Sequence, residues 1–268
     1  VPEDVLTEEL CIIAVSDEHL YHFKYIPEEM KTKELYEIAV NTNAYNLDHI
    51  PEFLRTKELC DIAVNSHGVT LRYVPELLKT EEMCINAIKT CGGVLEYIPD
   101  EFKTDELYEL AIKQDGSAIK HVPNNLRTKK IYEIAVRQNG CALQYKSKKF
   151  RTEELCEIAV NQRNPYFVSG VEHIDDCGSP LRYVPKKLRT KELCEIAVSN
   201  CGEAIKYVPH EYITDELCMC AIEEGQKDDP LIHCIIKRIP KEFRTKKVCL
   251  SAINLDGCAL EYIPTNII

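Results

Sequence analysis

Apolar and polar positions follow one recurring pattern along the chain. Between Pro51 and Val74, residues Leu59, Cys60, Ile62, Ala63 and Val64 are apolar, and Lys57, Glu58, Asp61 and Asn65 are polar. This spacing predicts an α-helix with an apolar face broad enough to be covered on two sides. Thr56 precedes it as an N-cap, its hydroxyl available to a free backbone N–H. Glu58 falls in the first turn, where the helix dipole favours an acid. Gly68 follows, and is expected as a left-handed C-cap. Leu71, Tyr73 and Val74 form a second, shorter apolar element that Pro75 ends, and Pro51 to Leu54 reads as a turn.

The pattern returns every 24 residues. Prolines stand at 27, 51, 75, 99 and 123, and Ser147 takes the next slot. The step from Ser147 to Pro185 is 38 residues and that from Pro209 to Pro240 is 31, so two repeats carry about 14 and about 7 extra residues. Five residues after the anchors stand Thr7, Thr32, Thr56, Thr80, Thr104, Thr128, Thr152, Thr190, Thr214 and Thr245. Twelve after them stand Ala14, Ala39, Ala63, Ala87, Ala111, Ala135, Ala159, Ala197, Ala221 and Ala252. A repeat this short cannot bury its own apolar face, so neighbours must stack. The alanines predict close helix contacts. The expected fold is all-α: an α-solenoid of about ten helix-turn-helix repeats over residues 1–268, one repeat domain with insertions at about 163–180 and 224–233.

A leucine-rich-repeat-like solenoid is the rival, because those repeats have similar length. Leu59-x-x-Ile62-x-Val64 fits the first half of their pattern. The second half fails, since the apolar slot it needs holds Val69, Gly93, Ser117, Cys141 and Glu203 in successive repeats.

The run Ala142-Leu143-x-Tyr145, followed by Leu-Arg-Thr-x-Glu-Leu, Ala-Val and Asn-Gly, resembles a family of short α-helical tandem repeats of unknown function. That family occurs in large viruses of amoebae and in intracellular bacteria. The resemblance spans nearly the whole chain and departs from the family in the anchor proline, where Ser147 keeps the small residue. It implies a helical repeat fold and a viral or host-cytoplasmic setting, with no activity to carry over.

Net charge is −11, which argues against a nucleic-acid binder,. No apolar run approaches the roughly 20 residues needed to cross a membrane, and no signal peptide is visible at the start. Seven of the fourteen cysteines (Cys11, Cys60, Cys84, Cys156, Cys194, Cys218 and Cys249) share one slot that Tyr36, Tyr108 and Tyr132 fill elsewhere. They are expected as buried, reduced packing residues and so imply a reducing compartment: cytoplasm, host cytoplasm or a virion. Cys218-x-Cys220 and His233-Cys234 are too sparse for zinc. With no phosphate loop or nucleophile elbow, the sequence predicts no catalytic residue, no cofactor and no metal.

Two ladders remain. Tyr25, His49, Tyr73, Tyr97, His121, Tyr145, Tyr183, Tyr207 and Tyr262 stand two residues before the anchors. They read as inter-repeat packing or, on the sharper view, as a base-stacking surface for RNA. Lys31, Arg55, Lys79, Lys103, Arg127, Arg151, Arg189 and Arg244 precede the Thr caps and oppose rows of acids. The expectation for these charges is a solvated, self-compensating face with i,i+3 pairs. The acidic stripe Glu37, Asp61, Glu109, Glu133, Glu157 and Glu195 is a candidate dock for a basic protein. The first insertion is another, with Asn164, Tyr166, Phe167, Glu172, Asp175 and Asp176 as its candidate binding residues.

The functional expectation is a non-enzymatic scaffold with an extended surface for a protein partner. The alternative is a self-associating structural or virion-type component, stacked end to end through apolar termini such as Tyr262 to Ile268. A modular RNA binder is the weaker alternative.

Overall fold

The computed structural model describes residues 7–16, 22–162, 179–228 and 235–264. The described residues hold ten α-helices: α1 (Glu8–Val15), α2 (Lys33–Thr42), α3 (Lys57–Ser66), α4 (Glu81–Thr90), α5 (Asp105–Gln114), α6 (Lys129–Gln138), α7 (Glu153–Asn161), α8 (Lys191–Asn200), α9 (Asp215–Asp228) and α10 (Lys246–Leu255). There is no strand among them, which excludes the leucine-rich-repeat rival, since that fold needs a strand in every repeat. The protein is an all-α solenoid of tandem repeats.

Each helix begins on its threonine. In all ten, the backbone N–H three residues on donates to the Thr Oγ1 at 3.2–3.4 Å, from Leu10 to Thr7 through Val248 to Thr245. This satisfies one of the donors that a helix start leaves free. Helices α2 to α8 and α10 end at an extended residue. His67 has φ −140° and ψ 102°, and its N–H still reaches the Ala63 carbonyl at 2.9 Å. The chain then enters a six-residue 3-10 helix such as Gly68–Tyr73, turns at the anchor, and makes one further 3-10 turn such as Glu76–Leu78.

The glycines do not act as left-handed caps. Gly68 is the first residue of its 3-10 helix and has no positive φ. It is glycine because the next repeat's helix lies against it. A Cβ on Gly68 would overlap the Ala87 carbonyl oxygen of α4, and one on Gly202 would overlap the Ala221 carbonyl oxygen of α9. At Gly92 the clash is with the Ala111 oxygen, at 2.6 Å. Glycine and alanine are thus two sides of one contact between successive repeats. Ala63, Ala87, Ala111 and Ala135 are fully buried.

The chain divides into two compact units, Val1–Leu126 and Arg127–Ile268. In the first, α1 packs on α2, α2 on α3, α3 on α4 and α4 on α5; in the second, α6 on α7, α7 on α8, α8 on α9 and α9 on α10. The core of each is the slot pair at the third and fourth helix positions, such as Leu59 and Cys60, with the alanine and the following aliphatic, and Leu71 or Leu95 from the short helices.

The basic ladder differs from its expectation. It is not a solvated face. Arg55, Arg151, Arg189 and Arg244 fold inward and bind backbone carbonyls. In each, Nε donates to the carbonyl five residues back (Ile50, Lys146, Val184 and Ile239) at 2.7–3.0 Å. Nη2 donates to the carbonyl seven back at 3.1–3.4 Å. Nη1 donates to the ladder tyrosine carbonyl near the end of its own repeat, whereas the other two carbonyls belong to the repeat before: Tyr73, Tyr183, Tyr207 and Tyr262 are the tyrosines. The guanidinium thus collects the carbonyls that end two short helices, and its five N–H groups suit that task. Lys79 does part of it, reaching the Tyr97 carbonyl at 2.7 Å and Glu76 at 2.5 Å.

The Arg151–Tyr183 bond spans 32 residues where Arg189–Tyr207 spans 18, so the first interruption leaves this bond in place. In the second interruption α9 runs on to Asp228, making it 14 residues long, so part of the inserted stretch is helix.

Candidate interaction surface

Most of the acidic stripe is matched by lysines of its own helices. Lys33 lies 3.8 Å from Glu37, Lys57 2.9 Å from Asp61, Lys113 2.9 Å from Glu109, Lys129 3.5 Å from Glu133 and Lys191 3.8 Å from Glu195. All are i,i+4 pairs; i,i+3 pairs occur in the basic ladder, where Lys31 meets Glu28, Lys79 meets Glu76 and Lys103 meets Asp100. Exposed pairs of this kind contribute a few tenths of a kcal/mol each. Glu157, which follows Glu153 instead of a lysine, is exposed. The insertion candidates Asn164, Tyr166, Phe167, Glu172, Asp175 and Asp176 lie outside the described residues, as does the end of the chain from residue 265.

The tyrosine ladder serves the backbone first, since its carbonyls receive the arginines. At four ladder tyrosines the preceding residue supplies a cation to the ring face: Lys24 to Tyr25 at 4.9 Å, Arg72 to Tyr73 at 4.9 Å, Arg182 to Tyr183 at 5.8 Å and Lys206 to Tyr207 at 5.1 Å. Those faces are engaged by the protein itself, which leaves less room for a base.

The seven slot cysteines are buried free thiols. Burial pushes the thiols of Cys60, Cys84, Cys156 and Cys194 up to about 11 and that of Cys218 to about 12. At neutral pH they are protonated and poor nucleophiles. No group of three metal-ligating side chains occurs among the described residues, and no described helix is long and apolar enough to cross a membrane.

Sequence reasoning missed the exposed apolar residues of the turns after each anchor. The second position there is Glu29, Glu101, Asn125, Lys149, Lys187, Glu211 or Glu242 in most repeats. In two adjacent repeats it is Phe53 and Leu77, which are 86% and 98% exposed. Glu52 and Glu76 stand beside them. The signal was available in the alignment of repeats: two large apolar residues in a slot that is otherwise polar.

The second unit has a cleft of about 240 Å³ between α6 and α7. It opens where the slot before the anchor changes character. That slot holds a buried aliphatic residue in the other repeats, for example Val122, Val184 and Val208, but here it is Lys146, followed by Ser147 in place of proline. Lys146 Nζ lies 3.9 Å from the centre of the Tyr132 ring, whose hydroxyl donates to the Tyr145 carbonyl at 3.2 Å. Tyr132, Phe150, Leu155 and Ile158 line the apolar part, and Lys129 bridges the rim to Glu133 and Glu154 at 3.5 and 3.4 Å. Burial holds the Lys146 ammonium below its ordinary pKa, opposed by the charge of Glu133.

Capped helices, carbonyl-binding arginines and a Gly–Ala contact at four of the steps, Gly68–Ala87, Gly92–Ala111, Gly140–Ala159 and Gly202–Ala221, define a helical tandem-repeat protein. The chain belongs to the family described as Domain of unknown function (DUF4116), whose model matches residues 32–79, 56–103, 80–127, 104–151 and 172–213. Successive matches in the first four advance by one 24-residue repeat, in agreement with the period read from the sequence. No curated protein and no solved structure matches the chain.

Proposed function

We propose that the chain is a non-enzymatic repeat scaffold that docks a protein partner on the turn face of its first unit. The observation that carries this is the exposure of Phe53 and Leu77 on adjacent repeats, framed by Glu52 and Glu76. Large apolar side chains exposed side by side in a charged setting mark interaction sites, and aromatic anchors dominate interface energies. The partner that fits offers an apolar recess rimmed by cations. The protonated slot thiols and the backbone-bound arginines leave these groups structural and support a binding role over a catalytic one. The buried thiols also suit a reducing setting, the cytoplasm of a host cell or a virion, as the family resemblance implies.

Affinity capture with the wild-type chain and with Phe53→Glu/Leu77→Glu tests the reading. Both positions are solvent-exposed, so the double variant should fold normally by circular dichroism. Specific protein partners retained by the wild type should be lost with the variant. A partner set that is the same for both would overturn the reading.

A further inference from the structure

We propose that the partner for this face is a second copy of the chain. The acidic turns around Phe53 and Leu77 of one molecule dock on the Lys146 cleft and its lysine rim on another, head to tail. This rests on the docking role of Phe53 and Leu77 and adds the occupant.

The same structural slot carries opposite charge in the first unit and in two repeats of the second, those after Ser147 and Pro185; after Pro209 and Pro240 it is mixed, with Glu211 and Glu242. After the anchors of the first unit come Glu28, Glu29, Glu52, Glu76, Asp100 and Glu101. After Ser147 and Pro185 come Lys148, Lys149, Lys186 and Lys187, all exposed. Glu28, Glu76 and Asp100 have a lysine behind them, at 2.6, 2.5 and 2.7 Å, yet their own side chains stay open to solvent. Lys148, Lys186 and Lys187 have no ion-pair partner among the described residues, and Lys149 lies over the Phe150 ring at 4.8 Å. The asymmetry extends to whole units. Residues 1–126 hold 11 Lys and Arg against 24 Asp and Glu, a net −13; residues 127–268 hold 22 against 20, a net +2.

Shape agrees with charge. The acidic face projects apolar side chains; the basic face has a recess beside its lysines, floored by Tyr132, Leu155 and Ile158, with half-exposed Phe150 at its edge. Spacing agrees as well. The Lys148/Lys149 and Lys186/Lys187 turns sit on neighbouring stacked repeats, as do the Glu52/Phe53 and Glu76/Leu77 turns. Both pairs are therefore set by the same repeat-to-repeat step, so two rungs can meet two rungs in register.

A contact between two different faces of one molecule is heterologous. It propagates into open chains or closes into rings. Carried by charge around an apolar anchor, it weakens as salt shortens the screening length from about 30 Å at 0.01 M to about 3 Å at 1 M.

Sedimentation velocity on the full chain tests this. The wild type should grow in size with concentration at low salt and return to monomer at high salt. Phe53→Glu/Leu77→Glu should be monomeric, and so should Lys148→Glu/Lys149→Glu. Mixed one to one, the two variants should form a heterodimer and nothing larger, because each retains the face the other lacks. A wild type that stays monomeric at low salt, or variants that assemble as it does, would overturn the proposal. So would a mixture that stays monomeric. A monomeric wild type whose captured partners still depend on Phe53 and Leu77 would reject the second copy while keeping the docking face.

Discussion

The guanidinium of Arg189 joins two repeats: it donates to the Val184 carbonyl of the preceding repeat at 3.0 Å and to the Tyr207 carbonyl of its own at 2.6 Å. Arg189→Met would leave these carbonyls without their donor. Each buried carbonyl left unpaired costs about 1–3 kcal/mol, so the expected loss is roughly 2–4 kcal/mol, read from the urea midpoint. Arg189→Lys should lose less, about 1 kcal/mol, because Lys79 reaches the equivalent Tyr97 carbonyl. Equal losses for both variants would count against the carbonyl-binding role.

Two glycines in one slot should respond oppositely to alanine. A Cβ at Gly202 meets the Ala221 carbonyl oxygen, whereas one at Gly257 meets nothing within 4 Å. Gly202→Ala should destabilise by about 1–3 kcal/mol through overpacking. Gly257→Ala should be neutral or gain up to about 1 kcal/mol by restricting the unfolded chain. Thermal or urea unfolding of the pair distinguishes a packing glycine from a conformational one.

His121 occupies a slot that is tyrosine in most repeats, and its Nε2 is buried without a protein hydrogen-bond partner. Burial, helped by Lys120, holds its pKa below the ordinary 6.5. The folded state therefore resists a proton that the unfolded chain accepts. Stability from this residue is fully present above pH 6.5 and falls as pH drops from there towards the folded pKa. His121→Tyr should flatten the decline between about pH 7 and pH 5. An unchanged profile would show that His121 is freely protonated in the fold.

The slot thiols should be inert in the native protein. A short pulse of iodoacetamide near neutral pH should label exposed Cys258 ahead of Cys60, Cys84, Cys156, Cys194 and Cys218, as read by peptide mass spectrometry,. In denaturant the order should vanish. Rapid native labelling of Cys218 would contradict its burial and its pKa of about 12.

The repeat, its threonine caps and its cysteine slot were legible in the chain because each depends on local geometry that recurs every 24 residues. Gly68 and Arg55 were misread for a shared reason. Gly68 answers to Ala87 in the following repeat and Arg55 to the Ile50 and Asp48 carbonyls in the preceding one. A single repeat offers only the local explanations, a turn for the glycine and solvent for the arginine. Phe53, Leu77 and Lys146 were hidden differently. Each is a departure from its slot, and a period found by matching draws attention to what agrees. Their meaning depended on exposure and on the cleft, which require the folded chain.

The docking face is tested most directly by placing a photo-crosslinking phenylalanine analogue at position 53 of the full chain, in the cells that produce it. The same analogue at Glu96, exposed on a different element, is the control. The account predicts discrete protein adducts at position 53 that are absent at position 96 and lost when Leu77 is changed to Glu. Equal or absent crosslinking at the two positions would contradict it.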